Sequence, residues 1–288
     1  MRVSGLFLYP VKSLRGFAVP AADLDDLGFV GDRRFMLVDG TGKFLTQRQL
    51  PRMAQISTAL TASTLTLSAD HHGSITVGRA SCPTVGDEPR PTISVTIWKH
   101  EGLQAEDCGD GPAAWLSSFL DFKCRLVRIG EKFRRPVLKS AAQPGDRFAF
   151  ADGAPVLVAS EASLAALNDR ILENGGEPVP MDRFRPNLVI AGGPAFAEDD
   201  APGLRIGQVV LRNAGKSIRC AITTTDQFTG GRGKEPLRTL ATFRREPDDP
   251  TAVTFATNYI NESKRGAIRL GDEIVPTQAG LVTVGGAR

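Results

Sequence analysis

Thr64-Leu65-Thr66-Leu67-Ser68 alternates strictly between polar and apolar residues, which is typical of a strand with one buried face. Comparable short apolar stretches recur along the chain, separated by Gly, Pro, Asp and Asn, as where Phe35-Met36-Leu37-Val38 precedes Asp39-Gly40. This density of short strands predicts a mainly β fold of the barrel or sandwich type, with a few helices (α+β). The other predicted strands are residues 1–10, 93–98, 126–129, 156–158, 188–190, 209–211 and 218–223.

Three helices are predicted between the strands. The first covers about residues 111–120, and the second covers residues 161–173, with Ser160 as its N-cap and Gly175-Gly176 as its stop. The third begins near Glu235-Pro236, because proline is tolerated in a first helical turn. The residues predicted to face inward are Trp115, Leu116, Phe119 and Leu120 in the first helix, Leu164, Leu167, Ile171 and Leu172 in the second, and Leu237, Leu240 and Phe243 in the third.

The composition indicates a soluble globular protein. The 288 residues are 41% hydrophobic and 23% charged, which is enough for two domains, and a polar stretch with two prolines at 132–146 predicts domains at 1–130 and 140–288. A formal charge of +3 without a long basic run predicts neither a nucleic-acid nor a membrane partner. No stretch reaches the roughly 18 to 20 apolar residues of a membrane span, and the N-terminus lacks the pattern of a signal peptide. We therefore expect a cytoplasmic protein.

The four cysteines are Cys82, Cys108, Cys124 and Cys220. They form no Cys-x-x-Cys pair and have no neighbouring histidine, which argues against a structural zinc site or an iron–sulfur cluster. In a reducing compartment all four stay free thiols. Cys108 is expected in a loop and Cys124 in the core. The histidines lie too far from other candidate ligands to form a recognisable metal site, and His71-His72-Gly73 predicts a hairpin turn.

Cys220 lies in Lys216-Ser217-Ile218-Arg219-Cys220, followed by a run of hydroxyl residues and Asp226. Positive charge from Arg219 and Lys216 would favour the thiolate, which is the form that binds soft metals or attacks electrophiles. The alternative is a small buried core residue, since free cysteines in strands are often of that kind. The local sequence leaves both interpretations open.

Two basic clusters could bind an anion. Tyr9-Pro10-Val11-Lys12-Ser13 and Gly31-Asp32-Arg33-Arg34 could hold a phosphate together, although solvated turns explain them equally simply. Arg183-Phe184-Arg185-Pro186-Asn187 places two guanidinium groups before a strand, suited to a phosphate or a pterin edge, or alternatively to surface ion pairs. The common hydrolase elbow, the Walker loop and the dinucleotide-binding glycine motif are absent from the sequence, which excludes those enzyme classes.

Seven ordered motifs together resemble the MOSC family. The resemblance extends over nearly the whole chain and is strongest to the two-part members, in which an N-terminal MOSC β-barrel domain precedes a MOSC β-barrel domain, as in the mitochondrial amidoxime-reducing components and their bacterial relatives. The motifs are residues 9–13, 31–34, 47–53, 160–163, 183–187, 219–224 and 235–240.

The resemblance implies a molybdenum–molybdopterin cofactor whose metal is held by Cys220, and a thiolate is the soft donor that such a metal prefers. It further implies that Lys12, Ser13 and either Arg33 or Arg34 bind the pterin phosphate. The other residues implied to line the site are Ser160, Ser163, Arg183, Arg185, Asn187, Ser217, Arg219 and Asn258.

The reaction implied is the reduction of an N-hydroxylated compound, in which two electrons and two protons release its oxygen as water. Asp226 would relay a proton or, alternatively, cap the turn before Thr229-Gly230-Gly231. The sequence shows no ferredoxin-like cysteine cluster, so we expect a separate electron donor, namely a flavin, haem or iron–sulfur reductase.

Two further hypotheses remain open at this point. In one, Cys220 carries a persulfide or handles the cofactor as an accessory to a pyridoxal-phosphate sulfurase. In the other, the chain is a binding module without catalysis and Cys220 is a core residue. The chain also departs from the family pattern at Leu14, where a cysteine is common, and at Thr225-Asp226-Gln227, where Val-Asp-Pro is common. Both departures concern the wall of the site rather than the metal ligand.

Overall fold

Strands dominate the fold, as the alternation of the sequence predicts. The computed structural model describes residues 1–80 and 90–278. In chain order the strands are β1 (Arg2–Leu8), β2 (Phe17–Ala18), β3 (Ala21–Asp25), β4 (Gly28–Phe29), β5 (Phe35–Val38), β6 (Ser57–Leu60), β7 (Thr64–Ala69), β8 (Gly73–Gly78), β9 (Thr92–Ile97), β10 (His100–Asp107), β11 (Arg125–Ile129), β12 (Val156–Ser160), β13 (Leu188–Ala191), β14 (Gly203–Ile206), β15 (Val209–Ile218), β16 (Arg245–Glu246), β17 (Asp249–Asn261), β18 (Gly266–Arg269) and β19 (Ile274–Thr277).

Helices are short and few. The α-helices of the described residues are α1 (Asp110–Leu120), α2 (Glu161–Glu173), α3 (Ala197–Asp200) and α4 (Leu237–Phe243). Single 3₁₀ turns occur at Pro51–Gln55, Met181–Arg183 and Ala221–Thr224. Within the described residues, no helix is both long enough and apolar enough to cross a membrane.

The largest sheet combines strands from both ends of the chain. Its order is β19-β14-β15-β17-β12-β13-β1-β2, with β16 added beside β17. The N-terminal strand β1 pairs antiparallel with β13, placing Arg2 opposite Ala191 and Leu6 opposite Leu188. Conversely, β18 of the C-terminal part pairs antiparallel with β3 of the N-terminal part. The division into domains at 1–130 and 140–288 stays a prediction. Strands from the two parts pair with each other, as β1 does with β13 and β18 does with β3.

Three smaller sheets complete the fold, and their burial follows the sequence alternation. The sheet β6-β7-β8 buries Leu65 and Leu67 completely, whereas the intervening Thr66 stays partly exposed. These leucines pack in one core with Leu116 and Phe119 of α1. The other two sheets are β5-β11-β10-β9 and β18-β3-β4. Burial of each such leucine stabilises the fold by about 1.5–3 kcal/mol.

All three predicted helices are present, with three differences from the prediction. Helix α2 begins directly after Ser160, although the serine side chain makes no capping hydrogen bond, and Gly175 follows its end with a left-handed φ of 69°. The prediction that Leu172 faces inward is wrong, because Leu167 and Ile171 define the buried face and Leu172 is 54% exposed. The short helix α3 was not predicted, since Ala-Glu-Asp-Asp has no apolar periodicity.

The predicted strand at 218–223 is wrong. Residues 209–218 form one continuous strand, β15, and Ala221–Thr224 form a 3₁₀ turn, so that Cys220 lies between them and outside any strand. The hydroxyl groups explain the turn: Thr223 Oγ1 donates to the Cys220 carbonyl at 2.9 Å and Thr224 Oγ1 to the Ala221 carbonyl at 2.8 Å. Such local bonds compete with the strand ladder.

The remaining cysteines have structural positions where they are described. Cys124 is buried in the core, as predicted. Cys108 lies in the loop between β10 and α1, as expected, but its thiol packs in the same core, and this burial raises its pKa to about 12. Cys82 lies outside the described residues. His71 and His72 form the turn between β7 and β8, as predicted. Over the described ranges, no group of three or more His, Cys, Asp or Glu side chains is arranged to hold a metal ion.

Candidate functional site

Cys220 opens into a cavity of about 1040 Å³. Both parts of the chain line it: Lys12, Arg33 and Trp98 come from the N-terminal part, and Asn187 and Cys220 come from the C-terminal part. The thiol is partly exposed, in contrast to the buried Cys108 and Cys124. The alternative interpretation of Cys220 as a core residue is therefore wrong.

The large sheet brings the lining residues together. Strands β1, β13, β12, β17 and β15 are close neighbours in that sheet. Lys12 and Ser13 follow β1, Arg185 and Asn187 precede β13, and Asn258 lies within β17. Asn187 also links the start of β13 to β1, because its side-chain amide donates to the Phe7 carbonyl at 3.2 Å. The pairing of the first strand with β13 therefore joins distant sequence motifs at one cavity.

The cavity is strongly cationic. Asp152 is the one acidic side chain among the described residues that line it. A concave surface of one charge sign concentrates its field and attracts ligands of the opposite sign. The cavity therefore suits an anionic ligand. The lysines and arginines of the lining are Lys12, Arg33, Lys43, Arg48, Lys99, Arg135, Lys139, Arg185 and Arg219.

Arg33 and Arg185 form a fixed pair of guanidinium groups over Tyr9, at 4.3 and 4.4 Å from its ring centroid. Arg33 donates to Asn187 Oδ1 at 2.8 Å and to the Arg185 carbonyl at 3.0 Å. Arg185 donates through Nη1 to Gln227 Oε1 at 3.2 Å, while its buried Nη2 has no partner within the described structure. Burial lowers the pKa of Arg185 to about 10. A buried donor without a partner is costly, which points to a missing acceptor.

Lys12 is buried beside Asp152. Its ammonium group donates to the Phe150 carbonyl at 3.0 Å and also contacts the Asp152 carboxylate. Burial lowers the pKa of Lys12 to about 8, even though Asp152 opposes this shift. Desolvation would raise the pKa of Asp152, but Lys12 and the indole N–H of Trp98 outweigh it and lower the pKa. Lys12 can therefore lose or regain its proton at modest cost near pH 8, whereas Asp152 stays ionised.

The guanidinium group of Arg48 lies beside the Cys220 thiol. Arg48 Nη1 lies 3.7 Å from Cys220 Sγ. Arg219 donates instead to Ser217 Oγ and to the Phe184 carbonyl, both at 2.8 Å. Lys216 is drawn to Glu246, with 3.4 Å between Nζ and Oε1. The N-terminal part of the chain thus contributes a cation beside the thiol, and Arg219 adds an electrostatic interaction from the C-terminal part.

The structure brings nine of the predicted site residues to the cavity. Tertiary pairing explains their convergence, since seven of them come from four separate motifs, and Ser217 and Asn258 lie outside the motifs. They are Lys12, Ser13, Arg33, Arg185, Asn187, Ser217, Arg219, Cys220 and Asn258.

Five other predicted residues do not line the cavity. Arg34 turns to Asp25, with 2.7 Å between Nη2 and Oδ1, and Ser163 donates to the Glu198 carboxylate at 2.9 Å. Ser160 is buried at the start of α2. The remaining two are Arg183 and Asp226, which pair with each other at 3.1 Å.

Asp226 caps a turn rather than facing the cavity. Its carboxylate accepts from the backbone N–H groups of Phe228 at 3.0 Å and Thr229 at 2.8 Å. These hydrogen bonds, the one from Thr229 N–H first, lower its pKa below the ordinary value. An ionised acceptor tied to a turn is a poor proton relay, so the geometry matches the turn-capping alternative.

Sequence reasoning missed several cavity residues. Arg48 belongs to the 47–53 motif but carried no assigned role, and Trp98 was recognised only as the end of a strand. Arg135 also carried no assigned role, yet it is buried and donates to the Ala149 and Ala151 carbonyls at 2.8 and 2.6 Å. Asp152 gave no signal except a polar interruption of an apolar stretch. None of these positions follows from local spacing.

Comparison with protein families gives two matches in chain order. The model of the MOSC N-terminal beta barrel domain matches residues 1–123, and the model of the MOSC domain matches residues 145–275.

Curated relatives cover almost the entire chain. Mitochondrial amidoxime-reducing component 1 of Mus musculus is 34% identical over 286 residues, covering 94% of this chain and 81% of the relative. The protein of the same name from Homo sapiens is 35% identical over 288 residues, covering 94% and 82%. Molybdenum cofactor sulfurase of Danio rerio is 30% identical, covering 95% of this chain but 34% of the much longer relative.

Proposed function

Because the chain belongs to the MOSC family, with the N-terminal beta barrel domain and the MOSC domain in sequence, we propose that it binds a molybdenum–molybdopterin cofactor and reduces N-hydroxylated compounds. The observation that carries this proposal is the position of Cys220, a partly exposed thiol in a large cationic cavity. The amidoxime-reducing relatives support the choice of substrate.

The residues of the cavity fit this cofactor. The group combines a soft metal with an anionic phosphate, and the cavity offers a thiol and several guanidinium groups, one with a buried unpartnered nitrogen at Arg185. We assign Cys220 as the metal ligand and Lys12, Ser13 and Arg33 as the phosphate ligands. The residues assigned to the remainder of the pterin are Arg185, Asn187, Ser217, Arg219 and Asn258.

The cofactor supplies the two-electron oxygen chemistry when it is bound. The chain's own residues would hold the cofactor and orient the substrate, and the overall reaction consumes two protons and releases one water. Lys12 would bind the phosphate as an ammonium ion, because the approach of the anion raises again the pKa that burial has lowered. The electrons come in this proposal from a separate reductase, and the protein acts in the cytoplasm.

Metal content tests the cofactor site. The protein is produced in a host with intact cofactor synthesis, and molybdenum is measured by plasma mass spectrometry in wild type and Cys220→Ala. We expect close to stoichiometric metal in wild type and none in the variant. Cys124→Ala is the matched control, because its thiol is buried near Ser117 in the N-terminal part and should not affect metal content. Equal metal in wild type and Cys220→Ala would refute the assignment.

A second candidate function is that of a sulfur carrier, which the similarity to a molybdenum cofactor sulfurase supports. An activity assay distinguishes the two functions. Benzamidoxime is offered with reduced methyl viologen as electron donor, and benzamidine is measured by chromatography. Turnover that is lost in Cys220→Ala supports the reductase. Cyanide-labile sulfur on Cys220 without molybdenum and without turnover would instead support the sulfur-carrier role.

A further inference from the structure

Several cations of the cavity remain after the phosphate and pterin ligands are assigned. Lys43, Arg48, Lys99 and Lys139 line the cavity, yet none of them forms an ion pair among the residues that the structure describes. Arg135 differs, because its guanidinium group is occupied by two backbone carbonyls. Unpaired cations in a shared concavity repel one another, so the arrangement favours a further anion. We infer that the substrate of the proposed reaction carries a carboxylate that binds to Arg48, an inference that rests on the proposed function.

Arg48 is built as a carboxylate receptor. Its guanidinium carbon lies 4.4 Å from the Trp98 ring centroid, and its backbone carbonyl accepts from Arg232 at 2.7 Å. Nη1 faces Cys220, whereas Nε and Nη2 have no protein acceptor in the described ranges. A guanidinium group fixed against a ring loses little freedom when it binds a carboxylate through two parallel N–H bonds. The free edge of Arg48 is therefore ready for such a group.

The Trp98 ring on which Arg48 stacks is also held in place. Trp98 lies in the two-residue turn between β9 and β10, with a left-handed φ of 54°. Its indole N–H donates to Asp152 Oδ1 at 2.9 Å, and its ring packs 5.1 Å from that of Phe44. The same turn carries Lys99, which adds a second cation at the cavity wall. These contacts hold the anion site in one geometry.

The anion site is near the proposed reaction centre. Because Arg48 Nη1 is 3.7 Å from Cys220 Sγ, a carboxylate on the free edge of Arg48 lies within the length of one small molecule from the thiol. A substrate bound to Arg48 would therefore lie close to the residue that holds the metal in the proposed function. The cations could also attract an acidic electron-donor protein, and the exposed Leu138 and Ile218 at the cavity would suit that role. Arg48 and Lys139 are partly buried inside the cavity, however, which favours a small ligand.

A matched substrate series tests the inference. Benzamidoxime, para-carboxybenzamidoxime and para-(aminomethyl)benzamidoxime share one reacting group and differ in charge. Reduced methyl viologen serves as donor, so that no protein docking enters the rates. We expect kcat/KM to be about 10- to 100-fold higher for the carboxylate than for the neutral compound, as a charge-assisted hydrogen bond provides, and lowest for the cation.

The Arg48→Gln variant identifies the receptor. It should reduce the preference for the carboxylate to near one, mainly through KM, while Lys123→Gln, an exposed lysine far from the cavity lining, should leave the preference unchanged. Isothermal titration calorimetry without reductant gives a second measurement: the Kd of para-carboxybenzamidoxime should rise about tenfold or more in Arg48→Gln, with that of benzamidoxime unchanged.

The outcomes are distinct. Turnover of all three compounds without a charge preference, or a preference that survives Arg48→Gln, would overturn this inference and leave the reductase proposal intact. Turnover of none of them by metal-loaded protein would overturn the reductase proposal and this inference together.

Discussion

Two buried glutamines connect the N-terminal part of the chain to the loop after Cys220. Gln47 and Gln227 are 0% and 3% exposed, and each amide donates to the oxygen of the other at 3.0 Å. Gln47 Nε2 also donates to the Ser13 carbonyl at 2.9 Å, and Gln227 Oε1 accepts from Arg185 at 3.2 Å. The pair therefore fixes two residues of the cavity at once, and we predict that it is energetically coupled.

The perturbation is Gln47→Leu, Gln227→Leu and the double variant, with leucine chosen for its similar volume. Each single change removes both amide–amide bonds, worth about 0.5–1.5 kcal/mol each, and leaves buried polar atoms unsatisfied at about 1–3 kcal/mol. We expect each single variant to lose about 2–4 kcal/mol of unfolding free energy. The double variant should lose about 1–3 kcal/mol less than the sum, because its second change removes a group that is already unsatisfied.

The assay is urea denaturation of wild type and the three variants, analysed as a double-mutant cycle. Gln104→Leu is the control, since Gln104 is exposed and, among the described residues, its side chain bonds only to Gly102 in the same strand. It should change stability by less than about 0.5 kcal/mol. Additive losses in the cycle, within about 0.5 kcal/mol, would refute the reasoning.

Three further predictions concern single residues. Burial lowers the pKa of Lys12 in the folded protein from 10.5 to about 8, so between these pH values the unfolded chain binds more protons than the folded one. The folded state therefore becomes more stable as pH increases from 8 to 10.5. Over that range, the urea midpoint of cofactor-free wild type should rise relative to that of Lys12→Gln. Iodoacetamide should label Cys220 faster than Cys124 in peptide mapping by mass spectrometry, because only the former opens to the cavity, and equal rates would contradict the described burial. Leu67→Ala should cost about 2–5 kcal/mol in urea denaturation, whereas Leu172→Ala on the exposed side of α2 should cost less than about 0.5 kcal/mol.

Local sequence predicted those parts of the fold that depend on local forces. Thr64 to Ser68 alternates in polarity because one face of β7 is buried, and the burial of Leu65 and Leu67 follows directly. The strand predicted at 218–223 failed because hydroxyl groups closed a turn, which apolar periodicity does not detect.

The site was predictable only where ordered motifs indicated it. Cys220 and Arg185 were recognised through such motifs and do line the cavity. Arg48 could not be placed beside Cys220, because the two are separated by 172 positions and meet only through tertiary packing. Ser163 is an opposite case. Its motif predicted that it lines the site, but its hydroxyl group donates to the Glu198 carboxylate instead.

The pairing of β1 with β13 has a consequence for biosynthesis. The first strand leaves the ribosome long before Leu188, its partner for Leu6, has been translated. At about 5–20 residues per second, β1 waits on the order of ten seconds or more with an unpaired edge, which is the kind of edge that chaperones protect and that aggregates grow on. A nascent chain that ends before β13 therefore cannot assemble the cavity, so any ligand of the cavity binds at the end of synthesis or later.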